Sequence, residues 1–247
     1  MAKIRARGII IKQSDYGEGH RILSIFTEGY GIIKAVSYGV KKSRSKAAAS
    51  SQFLCYGDFE LYKGENKDIM TVNSIDTVDG FYPISEDIKK LSLCVYMSDI
   101  TYSILGMNNP DDRILHIFLN SIYALAYRNE NLNKIKAVYE LKLMCAGGYM
   151  PEIHSCVSCG KGDVFAFDLL KGGMVCRECG GKYIVQMDKN LYRALDYISA
   201  CSDKKMLSFN ASDDVLEKLG RLTERYISLQ LDHVFGSLDY YKAMLEM

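Results

Sequence analysis

Two Cys-x-x-Cys pairs carry the most specific chemistry in the chain. Cys156-Val-Ser-Cys159 and Cys176-Arg-Glu-Cys179 are separated by sixteen residues, and glycines follow each pair (Gly160-Lys161-Gly162 and Gly180-Gly181). Two such knuckles aim four thiolates at one tetrahedral ion, with Zn–S near ~2.3 Å, and the spacing is that of four-Cys zinc sites. Four thiolates close the coordination sphere and leave no position for a catalytic water, so one structural Zn²⁺ is expected. A redox reading competes, but thioredoxin-like chemistry uses one CxxC at a strand-to-helix junction, not two matched copies. His154 lies two residues before the first ligand and is a substitute that four cysteines make unnecessary. Cys55, Cys94, Cys145 and Cys201 fall among apolar neighbours and read as buried small hydrophobes.

The cations form a second pattern. The 247 residues carry 31 Lys+Arg against 30 Asp+Glu, and a net charge of +1 argues at first against a polyanionic partner. That total is a cancellation. Residues 1–50 hold ten basic and three acidic residues, a net +7, while residues 51–80 hold two basic and six acidic, a net −4. In a strand, Lys3, Arg5 and Arg7 point to one face. Tyr30, Lys34 and Tyr38 share a face of another, a cation between two aromatics. Lys41-Lys42-Ser43-Arg44-Ser45-Lys46 is a basic loop with no acid in it. Cations suit phosphates, and aromatics add base stacking on single strands.

Catalytic constellations are lacking: the sequence has no Walker loop, GxGxxG, HExxH or GxSxG. Gly17-Glu18-Gly19 reads as a turn, His20, His116 and His233 as structural side chains, and Asp213-Asp214 as a helix N-terminus. The chain is not expected to be an enzyme.

The elements that must position these residues follow from periodicity. Short runs of Val, Ile, Tyr, Phe and Thr at 3–13, 20–27, 30–38, 52–62 and 67–76 alternate with glycine-bearing turns. Five strands in about 80 residues make a small barrel, with the OB-fold the leading candidate and an SH3-like barrel its rival. After Pro83 the period becomes helical. Ser85-Glu86-Asp87 caps a buried helix, Asn109-Pro110 opens a second, and a third runs from about 132 to 145. Residues 154–184 interrupt with the cysteines, and Phe165-Ala-Phe-Asp168 fits the hairpin of a zinc ribbon. Helix resumes at about 188–202 and from Ser212. The expected class is α+β multi-domain: an OB-fold domain over 1–80, a helical domain over 81–247, and a zinc-ribbon insertion at 154–184. An apolar fraction of 48% excludes wholesale disorder. The basic start has only three consecutive isoleucines, and no window approaches a membrane span, so a cytoplasmic protein is expected.

Asp15-Tyr16-Gly17-Glu18, Arg21-Ile22-Leu23, Phe26-Thr27, Gly31, and Gly39 with the Lys/Arg-Ser segment after it resemble the N-terminus of the bacterial RecO DNA repair proteins. The length and the four-Cys insertion are similar to the zinc-bearing members. The resemblance implies that the OB-fold domain over 1–80 binds DNA, with the acids of residues 51–80 placed away from the DNA face, and that a helical domain holding the zinc module follows. It also implies a recombination mediator without nucleotide hydrolysis. Such a protein binds single- and double-stranded DNA and anneals strands coated by single-stranded-DNA-binding protein. It recognises that protein's acidic tail and acts with RecR to load RecA, in the cytoplasm at the nucleoid. Carried over, Arg21, Lys41, Lys42, Arg44 and Lys46 are DNA contacts, and Cys156, Cys159, Cys176 and Cys179 are zinc ligands. One departure is at the C-terminus, where Phe235–Tyr240 has no cation. From another class, a protein–protein adaptor would use the zinc ribbon and helical surface, leaving the basic loop incidental.

Overall fold

The computed structural model describes residues 2–40, 46–64 and 69–247. The chain divides into two compact units, Met1–His116 and Ile117–Met247.

Five strands of the first unit close a barrel: β1 (Ala2–Tyr16), β2 (His20–Thr27), β3 (Gly31–Ser37), β4 (Tyr56–Lys63) and β5 (Met70–Asp79), in the order β1-β2-β3-β5-β4. β1 pairs antiparallel with both β2 and β4. A register shift between Ile10 and Lys12 marks a bulge that bends β1 between its two partners. Closure is a short parallel seam, Ala35↔Met70 and Val36↔Thr71. A short helix, α1 (Lys46–Ser50), sits between β3 and β4. This connectivity is that of the OB-fold, not the SH3-like rival. Ile10, Leu23, Ile25, Ile33, Phe59 and Leu61 fill the interior. Residues on alternate positions point outward, which is how β1 buries Ala6 while exposing Arg5 and Arg7.

After the barrel come α2 (Tyr82–Ser85) and α3 (Ile88–Leu105), which packs on β1 and β3. The cap of the long helix is Asp87, not Ser85: its carboxylate accepts from the backbone N–H groups of Lys89 (2.9 Å) and Lys90 (3.2 Å). Ser85 instead closes the preceding turn by donating to the Tyr82 carbonyl. The next helix, α4 (Asp112–Tyr127), starts two residues after Pro110, and the division between the units falls within it. The first compact unit therefore extends beyond the barrel to include α2 and α3.

In the second unit α5 (Leu132–Ala146) is buried around nearly its whole circumference and packs on α6 (Lys189–Ala200) and α7 (Asp213–Gln230). Its buried charges are paired. Glu140 lies 2.8 Å from Lys136 and accepts from Thr223, while Lys142 meets the Cys201 carbonyl and Asp203. A three-stranded sheet of β6 (Ala166–Asp168), β7 (Gly173–Val175) and β8 (Ile184–Gln186) forms the insertion, with β6 central. The chain ends in α8 (Gly236–Leu245). Among the described residues no helix is long and apolar enough to cross a membrane.

Gly31 shows how tightly the β2–β3 turn is built. Its φ is +70°, and a Cβ there would lie 2.4 Å from the Asn109 carbonyl oxygen. Left-handed strain and a clash with backbone would act together. Gly31→Ala is expected to destabilise the chain by about 1–3 kcal/mol or more, read as a lowered urea midpoint. An unchanged midpoint would contradict this packing.

Candidate metal centre and cationic barrel face

The four cysteines of the two knuckles come together, each offering a sulfur within 4.8 Å of the others. Backbone hydrogen bonds build the knuckles. Cys156 N–H donates to the Lys161 carbonyl and Gly160 N–H to the Cys156 carbonyl. In the second, Cys179 and Gly180 N–H both donate to the Cys176 carbonyl. The Cys159 and Cys176 sulfurs are 3.8 Å apart, the edge length of a tetrahedron with metal–sulfur bonds of ~2.3 Å. Donor type, number and spacing therefore fit a thiophilic metal ion. Backbone N–H from Cys176 lowers the Cys156 thiol to about 6. Side-chain hydrogen bonding with Cys159 and then Cys176 pushes Cys179 up to about 12.

The surroundings brace the knuckles. The Lys171 ammonium donates to Ser158 Oγ of the first and to the Cys179 carbonyl of the second, both at 2.9 Å. Lys161 pairs with Glu178 across the same gap at 2.6 Å. Cys156 and Cys176 are buried with Ala166 and Val175. The β6–β7 turn is tied to α7, where the Gln230 amide donates to the Leu169 and Leu170 carbonyls and Tyr226 packs edge-on to Phe167. His154 is outside the cluster; its exposed ring lies 3.6 Å from Asp196. Cys55 and Cys94 are buried as expected, whereas Cys145 and Cys201 are only partly so.

On the barrel, Lys3, Arg5 and Arg7 do form an outward row on β1. Two of the acids of residues 51–80, Asp58 and Glu60, do not lie away from it, contrary to what the resemblance implies. The β1–β4 register sets Arg5 opposite Glu60 and Arg7 opposite Asp58. Arg7 grips Asp58 with Nε and Nη2, each at 2.8 Å. Glu60 accepts from Arg5 Nε (3.2 Å) and Nη2 (3.0 Å), and also from Lys3 and Asn73. Lys3, Asn73 and Arg5 together hold the Glu60 carboxyl down at about 2, and Arg7 lowers Asp58.

Of the other expected contacts, Arg21 sits near the β1–β2 hairpin and Lys34 on β3. Arg21 lies opposite Asp15 and Ser37, with its guanidinium 3.4 Å from Gln13 Oε1. Lys34 is half-buried on β3. Tyr30 and Tyr38 fall outside that strand, at its two ends, and both are exposed. Tyr38 packs edge-on to His20, which accepts at Nδ1 from Gly39 N–H at 3.0 Å. His20, a structural side chain by its sequence context, is brought beside Tyr38 and Gly39 by the β2–β3 pairing. Lys41, Lys42 and Arg44 lie outside the described residues, and Lys46 is described only as the first residue of α1.

Residues 1–81 match the family model "Recombination protein O N terminal", and residues 85–239 match "Recombination protein O C terminal". An OB-fold barrel followed by a helical unit with a four-thiol knuckle is thus, here, the build of a recombination protein. The chain is 35% identical to DNA repair protein RecO of Acetivibrio thermocellus, over 99% of this chain and 98% of that one. It is 28% identical to the protein of the same name from Alkaliphilus metalliredigens (97% and 98% covered), and 29% to that of Clostridium perfringens (100% of both). The chain belongs to the RecO family of DNA repair proteins.

Purified protein is expected to contain about one equivalent of a thiophilic metal ion, and Cys176→Ser less than about half, because removing one thiolate opens the coordination sphere. Elemental analysis checks both, and a metal-free wild type with four titratable thiols would refute the site. For the barrel, carbon-detected NMR should place the Glu60 midpoint near 2 rather than at the ordinary 4.5. A carboxyl so depressed adds stability above its unfolded-state pKa and loses it as pH falls towards 2. A midpoint in the ordinary range would mean that the pairs do not form.

Proposed function

We propose that this chain is a DNA-binding recombination mediator. It binds single- and double-stranded DNA, anneals complementary strands and, with RecR, helps load RecA onto DNA held by single-stranded-DNA-binding protein, whose tail it also recognises. The observation that carries the reading is membership of a DNA repair family over nearly the whole chain, combined with an OB-fold barrel whose first fifty residues hold a net +7. Its place would be the cytoplasm, at the nucleoid.

The principal DNA contacts in this reading are Arg21, Lys34, Tyr38 and the basic run Lys41, Lys42, Arg44 and Lys46. Cations there neutralise phosphates on two strands, lowering the repulsion that opposes pairing, and Tyr38 offers a face for base stacking. Strand annealing conducted this way needs no bond made or broken by the protein, so no catalytic group is assigned. The metal of the four-Cys centre is zinc, bound structurally: soft thiolates favour it and four of them leave no open position. It holds the ribbon against α7 without taking part in DNA chemistry.

Changing Lys41, Lys42, Arg44 and Lys46 together to Ala is expected to weaken single-strand binding regardless of sequence. It should also flatten the slope of log K against log[salt] by roughly 3 and slow annealing in parallel. Salt-series anisotropy with a fluorescent oligonucleotide checks the first two. Wild-type protein that folds and holds metal, yet neither binds nor anneals DNA at low salt, would replace this reading with that of a protein–protein adaptor.

A further inference from the structure

The regularly spaced cations of β1 are ill suited to act as a polyanion site, because the fold has already supplied their anions. Lys3, Arg5 and Arg7 repeat at every second residue of β1, about 7 Å apart along the strand, which places consecutive phosphates of an extended single strand within reach. Arg7 and Asp58 make two parallel hydrogen bonds at 2.8 Å, the fork geometry in which arginine takes a phosphate. Glu60 collects Lys3, both donors of Arg5, and Asn73. Its side chain is only 15% exposed, against 78% for Arg5, so the carboxylate is largely covered while the guanidinium stays in solvent. Across the next strand pair Asp76 is the register partner of Asp58. Arg5, Arg7, Asp58, Glu60 and Asp76 line one shallow depression. With Lys3 on Glu60, three cations meet three carboxylates, and these six side chains carry no net charge. The run from Lys41 to Lys46 contains no acid.

We propose that Asp58 and Glu60 are internal phosphate surrogates, which mask the β1 row and confine DNA to the other cations of the barrel. They are specificity-determining residues of negative sign: the row is held ready in geometry and cancelled in charge. A purely structural pair would stabilise the β1–β4 register and leave DNA affinity untouched, and that is the distinction to test. The inference rests on the DNA-binding reading above.

The experiment measures binding of a fluorescent thirty-nucleotide oligo(dT) to the full chain over a salt series. Wild type, D58N/E60Q, K3M/R5Q/R7Q and the combined five-residue variant are compared, with thermal unfolding confirming each fold. D58N/E60Q should bind about fivefold tighter or more at ~0.1 M salt, and its log–log salt slope should steepen by up to about 2. In the K3M/R5Q/R7Q background the same two changes should give no gain, since the cations they unmask are absent. Equal affinity of D58N/E60Q and wild type overturns the proposal. So does a gain of the same size in both backgrounds, which would reflect overall charge alone. Should the double variant fail to fold, E60Q alone is read in the same way, since its amide oxygen still accepts from Arg5. Absence of DNA binding by wild type at low salt is a separate result and counts against the functional reading itself.

Discussion

The barrel depends on a single strand that is hydrogen-bonded along both edges. β1 runs from Ala2 to Tyr16; its second half pairs with β2 and its first half with β4. The bulge between Ile10 and Lys12 lets one strand serve both ladders by bending at the corner. Once that pairing is set, side-chain alternation leaves little freedom. A one-residue slip against β4 would turn Ala6 outward and Arg5 and Arg7 into the core. The same register fixes which acid meets which cation, so the electrostatics of the barrel surface are a by-product of how its interior is filled.

The helical unit solves a different problem. α5 is covered on all sides although its sequence includes Lys134, Lys136, Glu140 and Lys142. Burying charge is tolerable only where partners are supplied, and here α7 and the segment after α6 supply them. Losing one partner would leave the other buried and unpaired, the expensive case. The four-Cys module attaches to this same α7 through Gln230 and Tyr226, so the position of the metal centre depends on a helix already committed to the core.

Local signals were legible in the sequence and long-range ones were not. The cysteine spacing located the four thiols because each knuckle is built from neighbouring residues. The strands of the barrel and the capped helices followed from short-range periodicity, with errors of the kind expected where several capping residues are adjacent, as at Ser85 and Asp87. The β4 and β5 boundaries moved by three or four residues because Tyr56 and Asp79 find partners that no local pattern specifies. Charge counting found the +7 segment but misplaced its counterions. Asp58 and Glu60 stand more than fifty residues from Arg7 and Arg5, and only the β1–β4 register joins them. The short α8, whose hydroxyls Ser237 and Tyr241 are buried, had no strong period of its own.

The parallel seam between β3 and β5 has a consequence for how the barrel breathes. Among the described residues it consists of two residue pairs, whereas the β1–β2 and β1–β4 ladders each run to eight. Opening that edge sacrifices the fewest ladder hydrogen bonds among the described pairs, so it is the edge expected to open first. β3 ends at Ser37, just before the basic run begins. The barrel edge with the fewest ladder pairs among the described residues is thus the one whose strand leads, along the sequence, into the most basic stretch of the chain.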